Sequence, residues 1–231
     1  MTRLVLDEVV AIREGWRLAA QGTFDEGVHL ISGDVGSGKS TLALLMAGLL
    51  PATSGSVKWE QCSSQMVSFQ FPECHITGTT VREECESWGL DPSTILPSTG
   101  LSGKGDADPF CLSRGELKRL HLACVLARPY DLLILDEPFS SLDAREKLRT
   151  CNILSGRSRG ITILFTHEQA ILPHVGHIWE IRKGRLEYCG SPPEGLRNWQ
   201  HAPPLIRKLI AEGKTPQNIS PDALKEAACR T

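Results

Sequence analysis

The chain reads as an α/β fold. A mainly parallel core sheet is flanked by helices and carries an N-terminal antiparallel β lobe and a reduced helical lobe. Three observations lead there. Residues 33–41, Gly-Asp-Val-Gly-Ser-Gly-Lys-Ser-Thr, fit G-x-x-x-x-G-K-[ST] and lie between the apolar runs Val28 to Ser32 and Leu42 to Leu50. The stretches 132–135 and 161–165 are apolar and nearly unbroken, as suits strands buried on both faces. Leu4 to Ile12 has the β-branched richness of a strand, and Trp16 to Phe24 holds a second, so two or three antiparallel strands lead into the strand before the glycine turn.

The context strand, glycine turn, helix makes the 33–41 pattern a phosphate-binding loop. Glycines let the backbone turn tightly and bring its N–H groups close to phosphate oxygens. The first turn of the following helix has unpaired donors and a positive dipole end. Lys39 adds a point charge between the outer phosphates, and the Ser40 hydroxyl is placed for magnesium. A plain turn before a core helix would need neither in register. Pro51 stops the helix.

At 231 residues the chain is one large domain, or one domain with a lobe. A net charge of −2 implies no nucleic-acid partner. Arg3, Asp7 and Glu8 break the apolar character of the N-terminus, which is no secretory signal. The longest apolar run, Leu42 to Ala52, is too short for a bilayer, so a membrane role goes through a partner. None of the eight cysteines forms C-x-x-C, and they read as free thiols of a reducing compartment. His167, His174 and His177 have the look of a metal cluster, but His167 has a better role at a strand end.

After the first helix, Pro51 to Ser56 is a turn cluster, and Val57 to Glu60 and Gln65 to Phe69 are short strands. Pro72 breaks the second and leaves Gln70 at its end. Thr79 to Glu84 starts a helix, and Leu90 to Pro109, rich in Pro, Gly, Ser and Asp, reads as loop. Ser113 and Glu116 form an S-x-x-E capping box for a helix over Leu117 to Arg128. The strand Leu132 to Asp136 ends in two carboxylates, Asp136 and Glu137. In phosphate-loop enzymes the first holds magnesium, and the adjacent Glu137 is placed to polarise an attacking water. A helix over 144–155 follows, then a buried strand over 160–165 reaching His167, then a short helix to Pro173. His177 to Arg182 and Arg185 to Cys189 form a hairpin. Pro203 to Ala211 and Pro221 to Cys229 are two helices with Pro near their starts. Trp16 either stacks on a nucleotide base or packs as a core or surface tryptophan.

The phosphate loop, Phe69-Gln70, Leu112-Ser113-Arg114-Gly115-Glu116, Leu132 to Pro138, Ser141-Leu142-Asp143 and Thr166-His167 follow in this order. The series resembles the ATP-binding cassette (ABC) ATPases over about residues 4–195. Phe69 to Glu73 followed by Thr80 to Glu84 is similar to the energy-coupling-factor branch, which powers importers of metal ions and vitamins.

The resemblance implies an ABC ATPase nucleotide-binding domain over 1–195, with its helical lobe over about 71–128, and a C-terminal helical appendage over 196–231. It implies a head-to-tail dimer with a second ABC ATPase subunit, the same or different, on an integral membrane transport subunit at the cytoplasmic face of the cell membrane. ATP would sit on Gly33, Asp34, Val35, Gly36, Ser37, Gly38, Lys39, Ser40, Thr41 and Gln70, with Trp16 against the base. Ser40, Gln70 and Asp136 would hold Mg2+. Glu137 would orient water, and His167 would contact the terminal phosphate. Ser113, Arg114, Gly115 and Glu116 would reach the partner's nucleotide, and Asp143 would lie at the dimer seam. Phe71, Pro72 and Ile76 are candidate contacts to the membrane subunit. Two departures stand out. Arg114 and Glu116 replace the family's glycine and glutamine, and the spans from Lys39 to Gln70 and from Gln70 to Ser113, 31 and 43 residues, are short. A soluble ABC protein of repair or ribosome type, or a regulatory subunit with one weak site, are the competing expectations.

Overall fold

The computed structural model describes residues 1–13 and 15–229. β1 (Arg3–Arg13) and β2 (Trp16–Phe24) pair antiparallel, with Leu4 opposite Phe24. A bulge between Leu6 and Val9 switches the inward side chains of β1 from Leu4 and Leu6 to Val9 and Ala11, so both halves bury their apolar residues. β3 (Gly27–Gly33) leads through the glycine turn into α1 (Lys39–Met46), which ends before Gly48 in the left-handed region at φ 69°. β4 (Ser54–Glu60) pairs antiparallel with β1 and completes the antiparallel lobe.

β5 (Gln65–Ser68) runs parallel to the later strand β6 (Leu132–Asp136). The chain then builds α2 (Val81–Ser87), α3 (Pro92–Ser98) and α4 (Arg114–Leu126). β6 (Leu132–Asp136), α5 (Ala144–Ser155) and β7 (Ile161–Phe165) follow. The chain continues with β8 (His177–Arg182), β9 (Arg185–Gly190), α6 (Pro204–Ala211) and α7 (Pro221–Cys229). A single nine-stranded sheet has the order β4-β1-β2-β9-β8-β3-β7-β6-β5. The five strands β8, β3, β7, β6 and β5 are parallel neighbours.

Alternation divides the central strands between two cores. Ile31, Ile134, Ile163 and Phe165 face α1 and the antiparallel lobe. Leu30, Leu133, Leu135 and Leu164 face the other layer, where Trp199, Ile206, Leu209 and Leu224 also pack. The segment beyond residue 196 thus covers one face of the sheet. A third cluster, with Val81, Ile95, Leu117 and Leu120, is the core of the small helical lobe.

Two local expectations are corrected. Leu90 to Pro109 is not all loop: Asp91 accepts from Ser93 N at 2.9 Å and Pro92 takes the first helical position, which starts α3 and buries Ile95 and Leu96. No helix follows His167. The segment from Glu168 to Gly176 carries no helical turn, with Glu168 accepting from the N–H groups of Gln169 and Ala170 and Asn218 accepting from Val175 N. Among the described residues all eight cysteines are free, and no group of three or more His, Cys, Asp or Glu side chains gathers as a metal cluster. No described helix is long and apolar enough to cross a membrane.

Candidate functional site

Because β3, β6 and β7 are adjacent and parallel, their C-terminal ends share one edge of the sheet. A cleft of about 450 Å³ opens there, lined by Trp16, Val35, Gly36, Gly38, Lys39, Ser40, Thr41, Gln70, Asp136, Glu137 and His167. Residues from four separate motifs meet on this wall. Gln70 arrives because Ser68 is in register with Leu135, which sets the end of β5 beside the end of β6.

The loop is shaped by glycine. Gly36 and Gly38 have φ of 80° and 104°. A Cβ on Gly38 would also collide with the Trp16 ring, which lies over the loop at the cleft mouth. Lys39 is buried and donates to the carbonyls of Gly33 at 2.9 Å and Asp34 at 3.0 Å. Gly33, Asp34 and Ser37 form the back of the loop rather than the cleft wall. The Ser37 hydroxyl is buried without a partner and presses close to Gly33.

Burial pushes the Asp136 carboxyl up, and the Ser40 hydroxyl bonded to it and the nearby lysines pull it back. The oxygen donors of Ser40, Gln70 and Asp136 form a hard set that suits magnesium. Glu137 ends its strand in the left-handed region at φ 50°, with its N–H on Phe165 O at 2.8 Å. Its carboxylate accepts from Thr166 Oγ1 at 3.0 Å and His167 N at 3.1 Å, and lies 2.7 Å from His167 Nδ1.

The remaining predicted residues lie elsewhere in the chain. Ser113 and Glu116 complete their capping box at the start of α4. Lys104 and the Ser113 backbone and hydroxyl hold the Glu116 carboxyl down at about 2. Arg114 is exposed on the first turn. Gly115 touches the loop at 140–143, where a Cβ would come within 2.9 Å of Ser141 O. Asp143 caps α5 by accepting from Glu146 N at 2.9 Å. None of Ser113 to Glu116 lines the cleft of its own chain. Beyond Gln70, Phe71 is exposed and Ile76 half-buried, whereas Pro72 is buried at the start of a 3-10 turn and offers no surface.

Two roles escape sequence reasoning. Thr166 anchors Glu137 as above. Lys118, wholly buried on α4, donates to Gln70 O at 3.2 Å. Burial pushes its ammonium down to about 8 against the pull of Asp136, Glu137 and Glu73. Its place among the inward residues of α4, beside Leu117 and Leu120, was the available signal.

The family model described as ABC transporter matches residues 22–140. An energy-coupling factor transporter ATP-binding protein EcfA1 of Thermotoga maritima is 37% identical over 185 residues, 71% of each chain. An EcfA2 of the same organism is 30% identical over 230 residues, 87% of this chain and 86% of that one. Among solved structures, a nucleotide-free ATP-binding cassette from an ABC transporter matches with a TM-score of 0.65 and 20% identity, over 86% of this chain and 94% of that one. A dimeric cassette bound to ADP and phosphate matches with a TM-score of 0.65 and 17% identity, over 80% of this chain and 96% of that one.

Proposed function

The chain belongs to the ABC transporter family of ATP-binding proteins, and from that premise we propose that it is the ATP-hydrolysing subunit of an energy-coupling-factor importer. The cargo class is a metal ion or a vitamin. The subunit works against a second cassette, identical or related, at the cytoplasmic face of the cell membrane.

One observation carries this reading: the phosphate loop, Gln70, Asp136, Glu137 and His167 line a single cleft. Lys39 and the N–H groups of the loop and α1 bind the phosphates of ATP. Ser40, Gln70 and Asp136 hold magnesium. Magnesium held by these residues would supply positive charge against the phosphates. Glu137 accepts a hydrogen bond from the attacking water and orients it, and Thr166 and His167 hold the Glu137 carboxylate in place. Trp16 supports the base.

Ser113 to Glu116 stand away from this cleft, at a capped helix start that favours an anion. We assign them to the nucleotide of the second cassette, with Asp143 at the seam. A triphosphate bridges the two halves, and loss of its outer group lets them part. Exposed Phe71, on the segment leaving Gln70, is the contact to the membrane subunit.

Arg114 favours a second reading: a cation in place of the family's glycine suits a regulatory cassette that turns over only beside a paralogue. Phosphate release measured with this chain alone, with a second cassette, and with the membrane subunit separates the two. Absence of turnover in every combination overturns both.

A further inference from the structure

Asp34 is an oddity of the phosphate-binding loop. Its carboxylate adds negative charge to a loop that must hold a polyanion. Its carbonyl meanwhile accepts from Lys39 Nζ at 3.0 Å, so the placement of this residue sets the placement of the lysine. The carboxylate is not left alone. His201, more than 160 positions along the chain, has Nε2 at 3.0 Å from Asp34 Oδ1.

The other end of that imidazole is fixed from behind. Nδ1 contacts Oε1 of Glu180, a carboxylate with no exposure at all. The same carboxylate accepts from His201 N at 2.7 Å and Gln200 N at 3.2 Å, and it is paired with Arg182. Two residues earlier, Trp199 Nε1 donates to Ser32 Oγ at 2.6 Å, which ties the segment to β3 just before the loop begins. The 199–201 segment is therefore anchored on both sides, with the ring turned toward Asp34. With a carboxylate against each ring nitrogen, both contacts are favourable only when each nitrogen carries a proton.

We propose that His201 is a positioning residue for the phosphate-binding loop: the C-terminal segment neutralises Asp34 through His201 and holds the loop in the shape that receives ATP. The segment beyond residue 196 then does more than cover the sheet. It supplies the counter-charge that lets an acidic residue stand in the loop, and it makes nucleotide affinity depend on how that segment is seated. This rests on the reading of the loop as the ATP site.

The test is charge rescue, read as affinity for Mg-ATP by titration calorimetry on the full chain. Removing the imidazole leaves the Asp34 carboxylate unpaired beside the nucleotide, so His201→Ala and the milder His201→Gln should each weaken binding about three- to fivefold, the upper end for a contact whose carboxylate is largely exposed. Adding Asp34→Asn to either variant should restore affinity to within about twofold of wild type, because the repulsion has gone. A merely structural role for His201 predicts no such rescue. Glu180 keeps Arg182 and two backbone donors in both variants, and His201→Gln preserves a donor toward it, so the fold survives for measurement. Variants that bind like wild type, or double variants as weak as the single ones, overturn the proposal. Wild-type protein that fails to bind Mg-ATP overturns instead the reading of the loop.

Discussion

Glu137 and His167 are joined twice: the Glu137 carboxylate accepts from the backbone N–H of His167 at 3.1 Å and lies 2.7 Å from its Nδ1. The pairing exists because Asp136 and Phe165 are in register on neighbouring parallel strands, so the residues that leave those strands leave together. Glu137→Gln keeps the shape and an acceptor for these bonds but not the negative charge to which we assign the orienting of water. Steady-state phosphate release should fall by about 10²–10⁴-fold. ATP-bound dimers should accumulate, seen as a doubled mass by light scattering.

Gly115 faces Ser141 O with no room for a methyl group. Gly115→Ala should shift either the start of α4 or the loop at 140–143, at a cost of about 1–3 kcal/mol. Turnover should fall at least about fivefold on that basis. ATP affinity of the isolated chain, set by a cleft these residues do not line, should move by less than about twofold. Calorimetry beside a turnover assay checks both halves.

Trp16 packs partly against the core and partly over Gly38 at the cleft mouth. Trp16→Ala should raise the KM for ATP by about tenfold, the worth of one base–aromatic stack, and Trp16→Tyr should recover most of it. KM values at saturating magnesium decide this.

His29 supplies a pH dependence. It is buried, its Nε2–H donates to Asp25 O at 2.8 Å, and its Nδ1 accepts from Trp179 Nε1 at 3.2 Å, so the neutral ring is fully satisfied. Burial lowers its pKa from 6.5 to about 4. The unfolded chain therefore takes up the proton first. Stability is whole above pH 6.5 and is lost as pH falls toward 4. The loss should reach on the order of 2–3 kcal/mol by the lower limit. Urea unfolding at pH 7 and pH 4.5 should show this slope in wild type and a shallower one in His29→Gln.

What the sequence made legible is what local chemistry determines. The phosphate loop, the carboxylates at the end of β6 and the capping box of α4 each need only neighbouring residues, and each forms where its pattern stands. The start of α3 was hidden because Asp91-Pro92 opens a helix with the same residue types that make turns. Past the helix-free stretch after His167, Val175 is held by Asn218, a partner more than 40 positions away. Lys118 on Gln70, Thr166 on Glu137 and His201 on Asp34 are likewise products of strand order, which brings distant segments to one sheet edge.

The central claim is that ATP is gripped between the loop of one cassette and the signature segment of another. A structure of Glu137→Gln with Mg-ATP and its second cassette tests it most directly. The account predicts Lys39 on the outer phosphates, with Ser113 and Gly115 of the facing subunit within hydrogen-bond reach of the terminal one. A nucleotide bound at Lys39 with no neighbour's Ser113 near it, or an assembly that pairs through another surface, would contradict it.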